Sequence, residues 1–132
     1  MRVLPDTSAW VRYLRHGSAG EAGHMGDLLS HGDAVLCGPV VAELLVGTPS
    51  DRRSELASLL DALPWSELGR PEWHRVGVLG ATLRSKGMTV SLTDIEIAVA
   101  AEASDAALWT FDQDFGRLGE VMSGLRLYSP LS

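Results

Sequence analysis

The chain has 132 residues, 45% of them hydrophobic, which suits one domain burying about two-thirds of the surface its unfolded chain exposes. Its net charge of −6 argues against a protein that holds nucleic acid by bulk electrostatics, but not against one that meets a phosphodiester at a carboxylate-held divalent ion. One cysteine, Cys37, excludes intrachain disulfides and cysteine-based zinc sites, and no apolar run nears the ~20 residues that span a bilayer.

Residues 2–5 form the first strand candidate, and Asp6-Thr7-Ser8 supplies N-cap chemistry for a helix over 9–15. An aspartate there also breaks the apolar run a secretory signal needs, so the expected location is the cytoplasm. Gly17 stops the helix, and a second is expected from Ser18, with Ala22, Met25, Leu28 and Leu29 as its apolar stripe. Residues 34–37 read as a buried strand, with Cys37 as a small buried hydrophobe. Gly38-Pro39 opens a helix over 40–46 in which Glu43 alone is charged. Such a carboxylate either faces solvent through a narrow gap or is partly buried, and the expectation is a cation beside it.

Residues 50–63 read as an amphipathic helix with Leu56, Leu59, Leu60 and Leu63 inward. After Pro64, residues 65–68 suit an edge segment, and Pro71 opens a helix whose stripe is Trp73, Val76, Leu79, Gly80 and Leu83. Trp73 is expected in the core rather than paired with His74 to stack a base, and the four histidines lack metal-site spacing. Residues 95–103 form a helix buried on most of its circumference, 106–110 a short buried strand, and 125–128 a last strand. Thr93 with Glu96 fits a capping box; a shifted register would make Ser91 the cap and Asp94 the N3 residue. This alternation implies an α/β fold, a three-layer α/β/α sandwich with a mainly parallel central sheet.

In open parallel sheets, ligands gather at the carboxyl ends of the strands. Asp6, Glu43, Asp94 and Asp112 all fall there. Convergent carboxylates repel unless protonated or neutralised, and hard oxygen donors select Mg²⁺ or Mn²⁺. Asp94 and Glu96 lie about 200° apart around a helix, so one pocket takes only one of them, and Asp94 is assigned to the site. Asp112 is favoured over Asp114 as nearer the strand end, with Asp114 kept as an auxiliary ligand.

The segments DTSAW, VVAELLVG, SLTDIEIAVAA and TFDQDF, in that order between Val3 and Phe115, closely resemble the PIN-domain ribonucleases; the single-domain length is similar to the VapC toxins of VapBC toxin-antitoxin systems. The resemblance implies a single PIN-like domain over 1–132, with Asp6, Glu43, Asp94 and Asp112 as catalytic, metal-binding acids. It implies polar support from Thr7 or Ser8 and from Thr110. It also implies RNA cleavage by metal-assisted hydrolysis, a homodimer, and inhibition by a cognate VapB-type antitoxin. Pro5 departs from the aliphatic or acidic residue usual before the first aspartate, which bears on site geometry. Two rivals remain: a PIN-like protein-binding module without catalysis, and a Mg²⁺-dependent phosphoryl-transfer domain. The latter's dehalogenase form wants a second aspartate at position 8, where Ser8 stands.

Overall fold

A computed structural model describes residues 1–130. Strands β1 (Val3–Pro5) and β2 (Ala107–Trp109) pair in parallel, Val3 opposite Ala107 and Pro5 opposite Trp109. Both are buried along their whole length, as unbroken apolar runs in a parallel sheet should be. Parallel bridges extend the sheet on each side: Val3 to Ala34 and Leu36 to Trp65 on one flank, Leu108 to Leu127 on the other.

The segments expected as strands at 34–37, 65–68 and 125–128 therefore join the sheet as single bridges rather than full strands. For the first, Pro5 supplies a reason. The Val3 amide donates to Asp33 O at 2.8 Å and the Val35 amide to Val3 O at 2.8 Å. In that register the next rung needs an N–H at residue 5 donating to Val35 O, and proline has none.

Helix α1 (Thr7–His16) leads into a 3₁₀ turn (Gly17–Ala19), and α2 (Met25–Ser30) starts seven residues later than Ser18, where a second helix was expected. Here Gly20 and Gly23 let the chain fold on itself: a Cβ on Gly23 would sit 2.3 Å from Ser18 O. Then come α3 (Gly38–Val46), α4 (Ser50–Asp61), α5 (Arg70–Ser85), α6 (Leu92–Ala103) and α7 (Phe115–Leu118).

Helix α6 packs against α5, α3, α7 and β2, and every residue from Ile97 to Ala101 is buried. Buried Ser66 fastens the neighbouring segment to it, its hydroxyl donating to Ala100 O at 2.8 Å. Two inward assignments fail. Trp73 is 50% exposed, so the buried stripe of α5 is Val76, Leu79 and Leu83; Leu59 is 44% exposed, because Leu56 and Leu60 already fill the inward line of α4. Cys37 is buried as expected, and burial pushes its thiol up to about 11. Among the described residues no helix is long and apolar enough to cross a membrane.

Candidate active site

The carboxyl ends of β1 and β2 lie side by side, and short polar side chains stitch them together. Asp6, only 3% exposed, follows β1 and caps α1: its Oδ1 accepts from the Ala9 amide at 3.0 Å and from the Ser8 hydroxyl at 2.6 Å. Its Oδ2 accepts from the Thr110 hydroxyl just beyond β2. The stitching continues outward, since Ser8 Oγ accepts from the Phe111 amide at 3.0 Å and Thr110 Oγ1 from the Asp112 amide at 2.9 Å. A buried carboxylate without a cation is tolerable when donors surround it, and here three do.

Glu43 comes from α3, which packs on α1. It is exposed, and its Oε1 accepts from the Thr7 hydroxyl at 2.6 Å. Solvent supplies the compensation that burial would have demanded of an ion pair. Thr7 and Ser8 thus both support the site, one holding Glu43 and the other Asp6.

Asp94 lies in the first turn of α6, half-buried. The cap is Ser91, whose Oγ accepts from the Asp94 amide at 3.1 Å, while Thr93 lies inside the helix. The capping box expected of Thr93 and Glu96 is therefore replaced by the shifted register, because the helix begins one residue before Thr93. The Asp94 carboxyl is held above its ordinary range first by burial, then by the charges of Asp112, Glu43 and Asp6; the Ser91 contact works the other way. Glu96, also pushed up by burial, is not on the cleft wall.

Asp112 is exposed beyond β2, and its Oδ1 accepts from the Asp114 amide at 2.9 Å. Asp114 itself stands at the start of α7, away from the cleft wall. Asp6, Glu43, Asp94 and Asp112 share one open cleft of about 330 Å³, with Ile97 and Phe115 as apolar lining. Ile97 sits three residues after Asp94, on the same helical face.

Arg12 completes the wall. Its Nη1 donates to Ser8 O at 3.3 Å, its Nε lies 3.5 Å from Glu21 Oε1, and its guanidinium stands 4.3 Å from the centre of the Phe111 ring. Arg12 lines the cleft. The stack on Phe111 was not read from sequence; Arg12 four residues after Ser8 on α1 was the available signal.

Among the described residues no three carboxylate, imidazole or thiol groups are gathered tightly enough to hold an ion as they stand. Asp6, Glu43 and Asp112 instead each take a protein donor.

The PIN domain family profile matches residues 3–121. The chain is 30% identical over 124 residues to the VapC ribonuclease Mb1587 of Mycobacterium bovis, covering 90% of this chain and 92% of that one. Among solved structures it resembles VapBC2 from Rickettsia felis bound to a promoter DNA fragment, with a TM-score of 0.73 at 24% identity over 97% of this chain and 98% of that one. VapBC-1 from nontypeable Haemophilus influenzae gives a TM-score of 0.73 at 16% identity over 100% of both chains. These likenesses show the same fold, a parallel sheet flanked by helices.

Proposed function

The chain belongs to the PIN-domain family, beside its VapC ribonucleases, and from that premise we propose that the acidic cleft hydrolyses RNA phosphodiester bonds with a divalent ion. The observation that carries this reading is the meeting of Asp6, Glu43, Asp94 and Asp112, drawn from four separate segments, in one cleft. A domain needing only helix caps has no reason to gather them.

The donor set fits a hard cation: the titratable side chains on the cleft are these carboxylates and Arg12, with no sulfur or imidazole among the lining groups. Mg²⁺ or Mn²⁺ is the expected ion, and when bound it would supply an activated water and offset charge at the phosphate. Asp6 would be the fixed ligand, immobilised by Ala9, Ser8 and Thr110. Thr7 orients Glu43, and the Asp112 to Asp114 contact sets the direction of the Asp112 carboxylate. Arg12, braced on Phe111, offers its guanidinium to an RNA phosphate. In this reading water is the attacking group, and the Thr7 and Ser8 hydroxyls serve to hold Glu43 and Asp6.

In this reading the protein is a toxin held inactive by a VapB-type antitoxin and works as a homodimer in the cytoplasm. Support for the antitoxin comes from the solved relatives, which are VapBC structures. The test is cleavage of single-stranded RNA in Mg²⁺ or Mn²⁺. Wild-type protein should cut, EDTA should stop it, and Asp94→Asn should reduce cleavage to background with an unchanged circular dichroism spectrum. Wild-type rates in folded Asp94→Asn protein would refute the site. If the wild type bound Mn²⁺ and an antitoxin yet never cut RNA, the protein-binding module would replace the enzyme.

A further inference from the structure

A second cavity, of about 750 Å³, is lined by Phe111 and Glu21, the two side chains that Arg12 contacts. Its size falls in the range of sites that take small organic ligands. Four aromatic side chains line it: His24, Trp109, Phe111 and Tyr128. Trp109 is the hub. Its ring lies 5.5 Å from Tyr128 and 6.4 Å from His24 in edge-on geometry, and 6.1 Å from Phe111. His24 in turn stacks on Tyr128 at 6.0 Å with 24° between the planes. Trp109 is 2% exposed and forms the floor, whereas His24, Phe111 and Tyr128 remain partly open.

The cavity's charged groups decide what it can hold. Glu21 and Asp27 are both acidic and mostly exposed, so a phosphate is repelled while a neutral ring with N–H donors is welcomed. Asp27 Oδ2 sits 3.4 Å from His24 Nδ1, which places an acceptor beside a stacking ring. Side-chain contacts link the walls of the two cavities. Arg12 lines the acidic cleft, stacks on Phe111 and pairs with Glu21, while Thr110 lines the aromatic cavity and holds Asp6.

We propose that this cavity is a nucleobase subsite, in which an unpaired guanine of the RNA stacks among His24, Phe111 and Tyr128 and is read by the Asp27 carboxylate. The inference rests on the ribonuclease reading and deepens it. Guanine presents two adjacent N–H donors on its pairing edge, matching two carboxylate oxygens, whereas uracil presents one. Aromatic stacking holds the base, and Arg12 takes the phosphate that leads from it into the acidic cleft. Asp27 serves as a specificity residue and touches no reacting bond.

The experiment titrates guanosine and uridine 5′-monophosphates into the full-length protein while following the ring-proton resonances of His24 and Tyr128 by NMR. The guanine nucleotide should shift both rings and bind about tenfold more tightly than the uridine one, or ~1.4 kcal/mol. Asp27→Asn should erase that preference, and His24→Ala should weaken both nucleotides about tenfold with the fold retained, since both positions are partly or fully exposed. Equal binding of the two nucleotides, no ring shifts, or unchanged binding in both variants would overturn the subsite. So would variants that bind nucleotides normally but lose affinity for an inhibitory antitoxin, because the cavity would then be a protein-docking surface. RNA cleavage by the wild type is measured alongside: cleavage without guanine binding removes the subsite alone, and guanine binding without cleavage removes the ribonuclease reading alone.

Discussion

The floor of the acidic cleft and its rim hold their carboxylates in different ways. At the floor, Asp6 is buried and receives an amide and two hydroxyl hydrogen bonds, so its position is fixed by the junction of β1, α1 and the end of β2. At the rim, Glu43 and Asp112 are exposed and each takes one hydrogen bond from the protein, while Asp94 is half-buried. Folding therefore fixes one carboxylate firmly, and the others are held by fewer contacts. On the proposed ribonuclease reading, the floor carries stability and function together, and the rim carries function with little effect on stability.

The largest expected effect breaks the floor. Asp6→Ala removes the α1 cap and leaves the Thr110 and Ser8 hydroxyls without their acceptor, costing about 2 kcal/mol or more in urea unfolding together with all cleavage. Asp6→Asn separates the two losses, because asparagine caps about as well: stability stays within about 1 kcal/mol of wild type while metal-dependent cleavage falls to background. Next, Thr110→Val deletes the link between Asp6 and the Asp112 amide. Cleavage should fall about ten- to a hundredfold, and unfolding free energy by ~1 kcal/mol.

Smaller effects lie away from the cleft. Burial raises the Cys37 thiol from 9.0 to about 11, so between those values the unfolded chain ionises first and binds fewer protons than the native one. Stability therefore declines as pH rises through that window. Thermal melts at pH 8 and pH 10 should show Cys37→Ala losing less over this interval than wild type. Smallest of all, Pro5→Val restores a ladder donor toward Val35 O but frees the unfolded chain, so unfolding free energy should move by less than about 1 kcal/mol. Hydrogen exchange should nevertheless find the new amide at position 5 protected.

The same contrast explains what was legible in the sequence. Asp6, Asp94 and Asp112 could be placed at one sheet end because each follows a strand or opens a helix, and Glu43 because it lies within the helix after a strand; those signals are local. Thr110, 104 residues from Asp6, reached the candidate list through family resemblance, since nothing in its own surroundings announces a hydrogen bond across the sheet. The exposure of Glu43 was out of reach for a related reason: whether a lone acid on an apolar helix faces water depends on how α3 meets α1, which periodicity does not encode. Trp73 shows the same limit, its apolar spacing being right and its face wrong. The aromatic cavity gathers His24, Trp109, Phe111 and Tyr128 from three distant segments, and no single segment carries its pattern.

Asp112 and Asp114 stand two residues apart, and only Asp112 lines the cleft. Calorimetric titration of Mn²⁺ near neutral pH tests the central claim most directly, using wild type, Asp112→Asn and Asp114→Asn. The account predicts binding to the wild type, affinity at least about tenfold weaker in Asp112→Asn, and a smaller change in Asp114→Asn. Absence of Mn²⁺ binding by the wild type, or binding that survives Asp112→Asn undiminished, would contradict it.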